Sequence, residues 1–523
     1  MLVGTKSRFR LFGNRRRRAA APVGPYFADG VSIGNRPFTA DWQETSGICR
    51  TQRGENAGHI WCESDGSVNK LFSLRTSDCA ARGEWTLTGA TPTDLEDISS
   101  ATVNGQPYIY LADMGDNGNA RATITIYRIK EPVINGSNGS LAAGTDYETI
   151  VCQYPAGDIP SHKDAETLIA DPDTGDLYIV TKRITPAKVY RLAHAASYSG
   201  TQTLESLGTI WTAPFATPYD GANGGYYVGG DISADGRELI LKNHANVFYF
   251  ARNKATQTIV QALQAAGTDV PAYVGGGRPA SYPNNEPQGE GICFTDPWTW
   301  YSASEAGAPD RTAASASNYP VFKYTRLAKP YTEVSFQDGA SGYTGTLDTY
   351  IQVTTPTTPH GTETTFVVDL DAADERLGLL KFDLSSIPAS ATIIGCDLYL
   401  VITTEGQDFA LYRCFVPWDE SSTYNSVNGG AGIPRNGVAA SSLEDAVHGA
   451  PTSVAANHGY DAITGTVRIK IPPQTIKDWI DGTKPNYGWV LINVGTSLDG
   501  FQFGSKQNAT QGNRPRLVVR YQL

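Results

Sequence analysis

Carboxylates stand at the head of five apolar segments: Glu44-Thr-Ser-Gly-Ile48, Glu96-Asp-Ile98, Glu166-Thr-Leu-Ile169, Asp231-Ile-Ser233 and Glu290-Gly-Ile-Cys-Phe294. Their spacing is 52, 70, 65 and 59 residues. A carboxylate is a hard oxygen ligand, a general acid or base, and an acceptor for backbone amides. Five of them at close range cannot all remain ionised without compensation. One remedy is a hard cation such as Ca2+, which takes six to eight oxygens; Glu44, Glu96, Glu166, Asp231 and Glu290 are its candidate ligands. Protonation, or pairing with Lys182, Arg183 and Lys242, is the other. Glu44, Glu96 and Glu166 are also candidate catalytic groups, because a glycosidase sets two carboxylates about 5–10 Å apart around the scissile bond. The structural alternative is a staple, in which each acid bonds the amides of a neighbouring sheet.

The elements that must position these acids repeat with them. A turn follows each one, then a second apolar strand (His59-Ile-Trp61, Tyr108-Ile-Tyr-Leu111, Leu177-Tyr-Ile-Val180, Glu238-Leu-Ile-Leu241, Trp300-Tyr301). A third strand comes next (Lys70-Leu-Phe-Ser-Leu74, Thr123-Ile-Thr-Ile-Tyr127, Lys188-Val-Tyr-Arg-Leu192, Asn246-Val-Phe-Tyr-Phe250, Val321-Phe-Lys-Tyr324), and some copies show a fourth. Asp171-Pro-Asp-Thr-Gly175 and Ser233-Ala-Asp-Gly236 are turn sequences. A four-stranded unit repeated five times is stable only when neighbours cover its faces, as in a closed ring. Residues 21–330 are therefore expected to form a five-bladed β-propeller, with six blades as the alternative. The segment at 22–40 is placed as the outer strand missing from the last copy. First strands line the channel of such a ring, and the ends of second strands reach the same mouth. That puts Glu63, and the candidate ligand-binding residues Asp113, Asp116, Asn117, Lys182, Arg183, Asn243, His244 and Glu305, around the acids.

Composition supports an all-β chain. Of 523 residues only 18% are charged, against 54 Gly, 30 Pro, 27 Tyr and 2 Met, which excludes a helical bundle or coiled coil. Aromatic and β-branched residues throughout argue against disorder. No uncharged apolar run approaches the ~18 residues of a membrane span. Residues 1–18 hold seven bases and no acid; without them 35 bases face 53 acids, a balance of −18. A body so acidic repels nucleic acid, and residues 1–20 read as a basic anchoring arm. No apolar core follows those bases, so the arm is not expected to be a secretory signal. The seven cysteines lack any C-x-x-C spacing and several sit inside apolar strands, so free thiols and folding in a reducing cytosol are expected. P-loop, H-E-x-x-H, G-x-S-x-G and dinucleotide motifs are absent.

After Lys329-Pro330 the repeat stops. Alternating strands at 349–353, 365–370, 379–384, 393–401, 465–471, 488–493 and 516–521 make residues 331–523 a second unit, a β-sandwich. One short helix is predicted over 473–480, ended by Asp481-Gly482.

Both units resemble known families. Asp94-Leu-Glu-Asp-Ile98, Tyr108-Ile-Tyr-Leu-Ala-Asp-Met-Gly-Asp-Asn117, the run from Asp164 to Lys182, Gly230-Asp-Ile-Ser-Ala-Asp-Gly236 and Gln288-Gly-Glu-Gly-Ile292 look like a family of bacterial secreted propeller proteins of poorly defined function. That resemblance covers about residues 43–327 and implies a fold rather than an activity. Leu380-Lys-Phe-Asp-Leu-Ser-Ser-Ile-Pro388, Trp418-Asp-Glu-Ser-Ser-Thr423, Asn486-Tyr-Gly-Trp489 and Arg514-Pro-Arg-Leu-Val-Val-Arg-Tyr521 resemble the DNRLRE-type domain, related to carbohydrate-binding module family 96. This second resemblance implies a jelly-roll β-sandwich and binding of acidic glycans, with Lys381, Arg413, Lys506 and Arg514 as candidate contacts.

Extracellular-type modules on a chain with unpaired cysteines and a basic arm point to a protein that folds in a cytosol and leaves inside a particle. The expected function is that of a virion-associated structural or adhesion protein of a bacteriophage: a tail fibre, spike or capsid decoration. It would be held to other virion proteins through residues 1–30, be present in repeated copies or as a homo-oligomer, bind a host cell-surface glycan, and have no membrane contact. Two alternatives are a propeller hydrolase acting on polysaccharide or phosphoester, and a bacterial surface or filament protein.

Overall fold

The computed structural model describes residues 24–523 apart from 25, 159–163, 214–225, 245, 271–285, 287–288, 305–318, 370–373, 407–408, 431, 434–442, 447–464 and 494–499. The chain is all-β, with seven open sheets and two short α-helices among the described residues. No described helix is long and apolar enough to cross a membrane.

Five of the sheets come from residues 31–325. Sheet I runs outward from Ile48–Arg50 through His59–Cys62, Lys70–Arg75 and Ala81–Thr88. Sheet II starts at Leu95–Val103, sheet III at Ala165–Ala170, sheet IV at Gly229–Ile232 and sheet V at Gly289–Asp296. The core strands of each are antiparallel, as the repeat predicts. Val31–Asn35 pairs with Pro320–Thr325 and completes sheet V from the chain's opposite end, in the place expected for segment 22–40. Gly139–Ala142 and Gln202–Thr203 add parallel edge strands to sheets I and II, so those sheets are laced to the segment that follows them.

Burial explains why the strands read as they do. The second strands of sheets III and IV, Leu177–Thr181 and Glu238–Lys242, are buried at every position and carry unbroken apolar runs, while Ala81–Thr88 alternates with solvent. Each consecutive pair of sheets shares an apolar core: Trp61 and Trp85 against Ile98 and Leu111, Ala101 and Tyr110 against Leu168 and Ile179, Ile169 and Val180 against Leu239 and Phe248, and Ile240 and Tyr249 against Phe294 and Trp300. Sheet V in turn packs on sheet I through Cys293, Tyr301 and Val321 against Ile48, Ile60 and Phe72. Every sheet thus buries both faces, and the first strands lie side by side in ring order.

Two further sheets build the second unit. One contains Thr332–Phe336, Arg516–Gln522, Thr392–Thr404, Gly465–Ile471, Phe501–Gly504 and Thr365–Val368; the other contains Thr346–Gln352, Arg376–Phe382, Trp489–Asn493, Phe409–Cys414 and Leu443–Ala446. They enclose one core of Phe382, Leu398, Leu400, Trp489, Phe503 and Leu517, among others. The predicted helix is Pro473–Ile480, with Asp481 as its C-cap and Gly482 at φ 76° ending it. Strands 332–336, 409–414, 443–446 and 501–504 escaped the sequence reading, as did the helix Ile259–Gln264. That helix carries a legible start signal: the Thr258 hydroxyl accepts from the Gln261 amide and the Gln261 side chain accepts from the Thr258 amide.

A buried ionic network joins the two units. Asp269 and Asn246, from sheet IV, meet Arg468 of the sandwich. Arg468 also forks onto Asp397 at 3.0 and 2.9 Å, Lys470 reaches Asp397 at 3.0 Å, and Arg520 bonds Asp397 and Glu333.

All seven cysteines are free and buried, as expected from their spacing.

Candidate functional site

The starts of the first strands and the ends of the second strands meet at one mouth of the ring. Glu96, Glu166 and Glu290 each stand two residues before a buried branched aliphatic residue of their strand (Ile98, Leu168, Ile292). The equivalent positions in sheets I and IV hold Ser46 and Gly230. Ser46 Oγ donates to Glu290 Oε2 at 2.7 Å. At Gly230 a Cβ would lie 2.6 Å from Leu241 and 2.9 Å from the Ile240 carbonyl, so no side chain fits.

Of the five expected ring acids, Asp231 therefore sits elsewhere, while Glu44 stands before its strand, near enough to Asp65 for its charge to act there. Asp231 is one residue further along its strand, in the register of Asp97. Both act as staples: Asp97 Oδ2 accepts from the Leu168 amide at 2.7 Å and Asp231 Oδ2 from the Phe294 amide at 2.8 Å, each in the next sheet. Arg50 of sheet I reaches Asp231 at 3.2 Å and the Ile232 carbonyl at 2.6 Å, and both side chains are buried. This pair, between sheets that are not ring neighbours, fills the space beneath the mouth. Glu44 precedes its strand by four residues, and its carbonyl accepts from the Asp65 amide at 3.1 Å. A one-residue shift in a strand turns a side chain to the other face, which is why alignment by acid type alone misplaced Asp231.

The second-strand ends deliver the rest. Lys182 Nζ lies 2.5 Å from Glu166 Oε1, His244 Nε2 lies 2.9 Å from Glu290 Oε1, and Arg183 Nε lies 2.7 Å from Asp164 Oδ2. Arg183 also donates to Asn117. Asp113 accepts from Arg121 at 2.7 Å and from the Asp94 amide at 2.9 Å. Asp116 is a loop staple, taking the Ala120 amide at 2.7 Å while its own amide donates to Asp164 at 2.8 Å. Asn243 holds the turn amide of Asn246 at 2.7 Å. Lys242 is fully buried beside Ser302 and Glu286. Glu305 lies outside the described residues.

Sequence reasoning missed Asp65, Asp94 and Asp164. Oxygens of Asp65, Asp94 and Glu96 all lie within 4.8 Å of one another, and so do oxygens of Glu96, Asp164 and Glu166. The signal lay in Asp94-Leu-Glu96 and Asp164-Ala-Glu166, the same pair of acids two apart at the entry to two successive first strands. Crowding sets the proton affinities. Burial, then Glu166 and Asp65, pushes Glu96 well above the carboxylate range. Burial and the charges of Glu290, Asp94 and Glu44 raise Asp65 to about 7. Burial takes Glu166 to about 8 against the pull of Lys182, which the surrounding carboxylates keep charged. Glu63, with its Oε2 unpartnered, is raised by burial and Asp65. Glu290 runs the other way: against burial, His244, Lys182 and Ser46 hold it down at about 2.

The sandwich candidates all have partners within the domain. Arg413 is 1% exposed and bonds Asp478 at 2.8 Å and Thr475 at 3.2 Å, so it is no glycan contact. Lys381 donates to the Trp418 carbonyl at 2.8 Å, Lys506 pairs with Glu420 at 2.7 Å, and Arg514 donates to the Asn508 and Asp338 carbonyls at 2.8 and 3.1 Å.

No family model and no curated protein matches the chain. Among solved structures it is similar to the PQQ-bound form of aldose sugar dehydrogenase from Streptomyces coelicolor, at 9% identity and a TM-score of 0.32, over 58% of this chain and 99% of that one. It is also similar to Kuenenia stuttgartiensis hydrazine synthase, at 12% identity and 0.28, over 54% and 72%. Likenesses at this level carry no argument about function.

Proposed function

We propose that residues 31–325 close as a five-bladed β-propeller, that residues 331–523 are a jelly-roll of the DNRLRE type, and that the chain is a virion-associated attachment protein. In this reading residues 1–30 bind other virion proteins, the chain is displayed in repeated copies, and the two modules face a host cell-surface glycan. The observation that carries it is the buried junction of Asp269 and Asn246 with Arg468, Lys470 and Arg520, which makes the two modules one body able to hold a fixed orientation on a particle. Seven buried thiols agree with folding in a reducing cytosol. Immunogold labelling of purified particles and a host-cell pull-down test the reading. Labelled particles, with binding competed by an acidic polysaccharide, are expected; unlabelled particles together with a flat response to host cells overturn it.

One observation favours a second reading, a hydrolase acting on polysaccharide or phosphoester. Glu290 is driven toward the ionised form while Glu96 and Glu166 are driven toward the protonated form, the division of roles that acid–base catalysis needs. Depolymerisation of host polysaccharide by the purified chain, abolished in Glu166→Gln, would establish it.

A further inference from the structure

We propose that Asp65, Asp94 and Glu96 hold a hard divalent cation of calcium size in the mouth between sheets I and II. The inference rests on the geometry of the inner strands and is independent of the attachment reading.

The two carboxylate sets that share Glu96 differ in what neutralises them. Asp164 and Glu166 already face Arg183 and Lys182, and Asp164 takes the Asp116 amide as well. Among the described residues no base lies within ion-pair distance of Asp65, Asp94 or Glu96. Glu96 is 4% exposed, and no described group donates a hydrogen bond to its carboxylate. Such a group is costly to bury unless something positive meets it. Beside it, Glu166 Oε2 is buried and also without a donor.

The loop wall is shaped for close approach. A Cβ on Gly115 would stand 2.1 Å from Glu96 Oε1 and 2.4 Å from Asp94 Oδ2. Gly115 has no positive φ, so its backbone does not call for glycine; the space next to the two oxygens does. Ligand oxygens about 2.3–2.6 Å from a calcium ion lie up to about 5 Å apart across it, which a set spread within 4.8 Å satisfies. Magnesium dehydrates reluctantly and is ordinarily held by one or two carboxylates with several waters, so a set of three protein carboxylates favours calcium.

The test uses the full chain, stripped with chelator and titrated with CaCl2, MgCl2 or MnCl2 by calorimetry and thermal melting. One calcium ion per chain is expected, with the melting temperature raised by about 4 °C or more at saturation. Glu96→Gln is expected to remove the calcium response while melting no lower than the wild type in chelator, because it deletes an uncompensated charge. Gly115→Ala and Asp65→Asn are expected to weaken binding at least tenfold. Absence of heat and of any melting shift with all three ions overturns the proposal. So does a calcium shift that survives undiminished in both Glu96→Gln and Asp65→Asn, and so does binding of Mn2+ or Mg2+ without Ca2+.

Discussion

Two buried charge clusters in this molecule have opposite designs. At the junction of the units, Arg468, Lys470 and Arg520 face Asp269, Asp397 and Glu333, three charges of each sign. At the mouth, Glu63, Asp65, Asp94, Glu96, Asp164, Glu166 and Glu290 form ion pairs, among the described residues, only with Lys182, Arg183 and His244. The junction is complete within the chain and acts as a fastener. The mouth is electrically unfinished, and the deficit falls on the side of Asp65, Asp94 and Glu96. A charge that folding leaves uncompensated points to a ligand or a proton; a compensated one points to structure.

The sharpest break of this contrast is at the junction. Asp397→Asn leaves three buried cations short of their shared acceptor and is expected to cost about 3–5 kcal/mol, read from denaturant melts. Asp269→Asn removes the propeller side of the fastener. A loss of about 2–4 kcal/mol is expected, with a broader interdomain distribution by small-angle scattering; an unchanged profile would show that the network does not fix the orientation.

At the mouth the sign reverses. Glu96→Gln is expected to raise the melting temperature of chelated protein at pH 8, because burial and then the charges of Glu166 and Asp65 disfavour its ionised form. Destabilisation by that substitution would mean that Glu96 is a structural acceptor like Asp97. The pH dependence follows from the raised groups. Asp65 and Glu166 bind protons more tightly folded than unfolded, so their contribution is fully present below the unfolded value near 4. It is lost as pH rises through about 7 to 8. Chelated protein should therefore melt lower at pH 9 than at pH 6, and calcium should narrow the gap. The smallest effect is expected from Lys506→Ala, which breaks a partly exposed pair with Glu420 worth about 0–1 kcal/mol. A large loss of glycan binding in that variant would restore Lys506 as a contact.

The repeat was readable because it is made of short-range signals. Apolar runs mark the strands buried on both faces, and Asp171-Pro-Asp-Thr-Gly175 and Ser233-Ala-Asp-Gly236 mark their turns. The same holds for helix 473–480, with its proline start and glycine stop. The site was half readable. Glu96, Glu166 and Glu290, and the cations Lys182 and His244, were placed at the mouth from strand order alone. Asp231 was misplaced because one residue of register is invisible when only the acid is matched, and Arg413 because nothing local tells a surface base from one locked onto Asp478.

What the sequence determined by itself is therefore the all-β repeat, its strand order, and which strand ends come together, all consequences of periodicity and turn chemistry within some tens of residues. Tertiary structure alone decided which charges are answered. Arg468 finds Asp269 across 199 residues, and Arg50 finds Asp231 across 181. Asp65, Asp94 and Glu96 meet, with no base among the described residues in ion-pair reach, because sheets I and II pack side by side. Electrostatic compensation depends on distances of a few ångströms in space, and separation along the chain does not encode them.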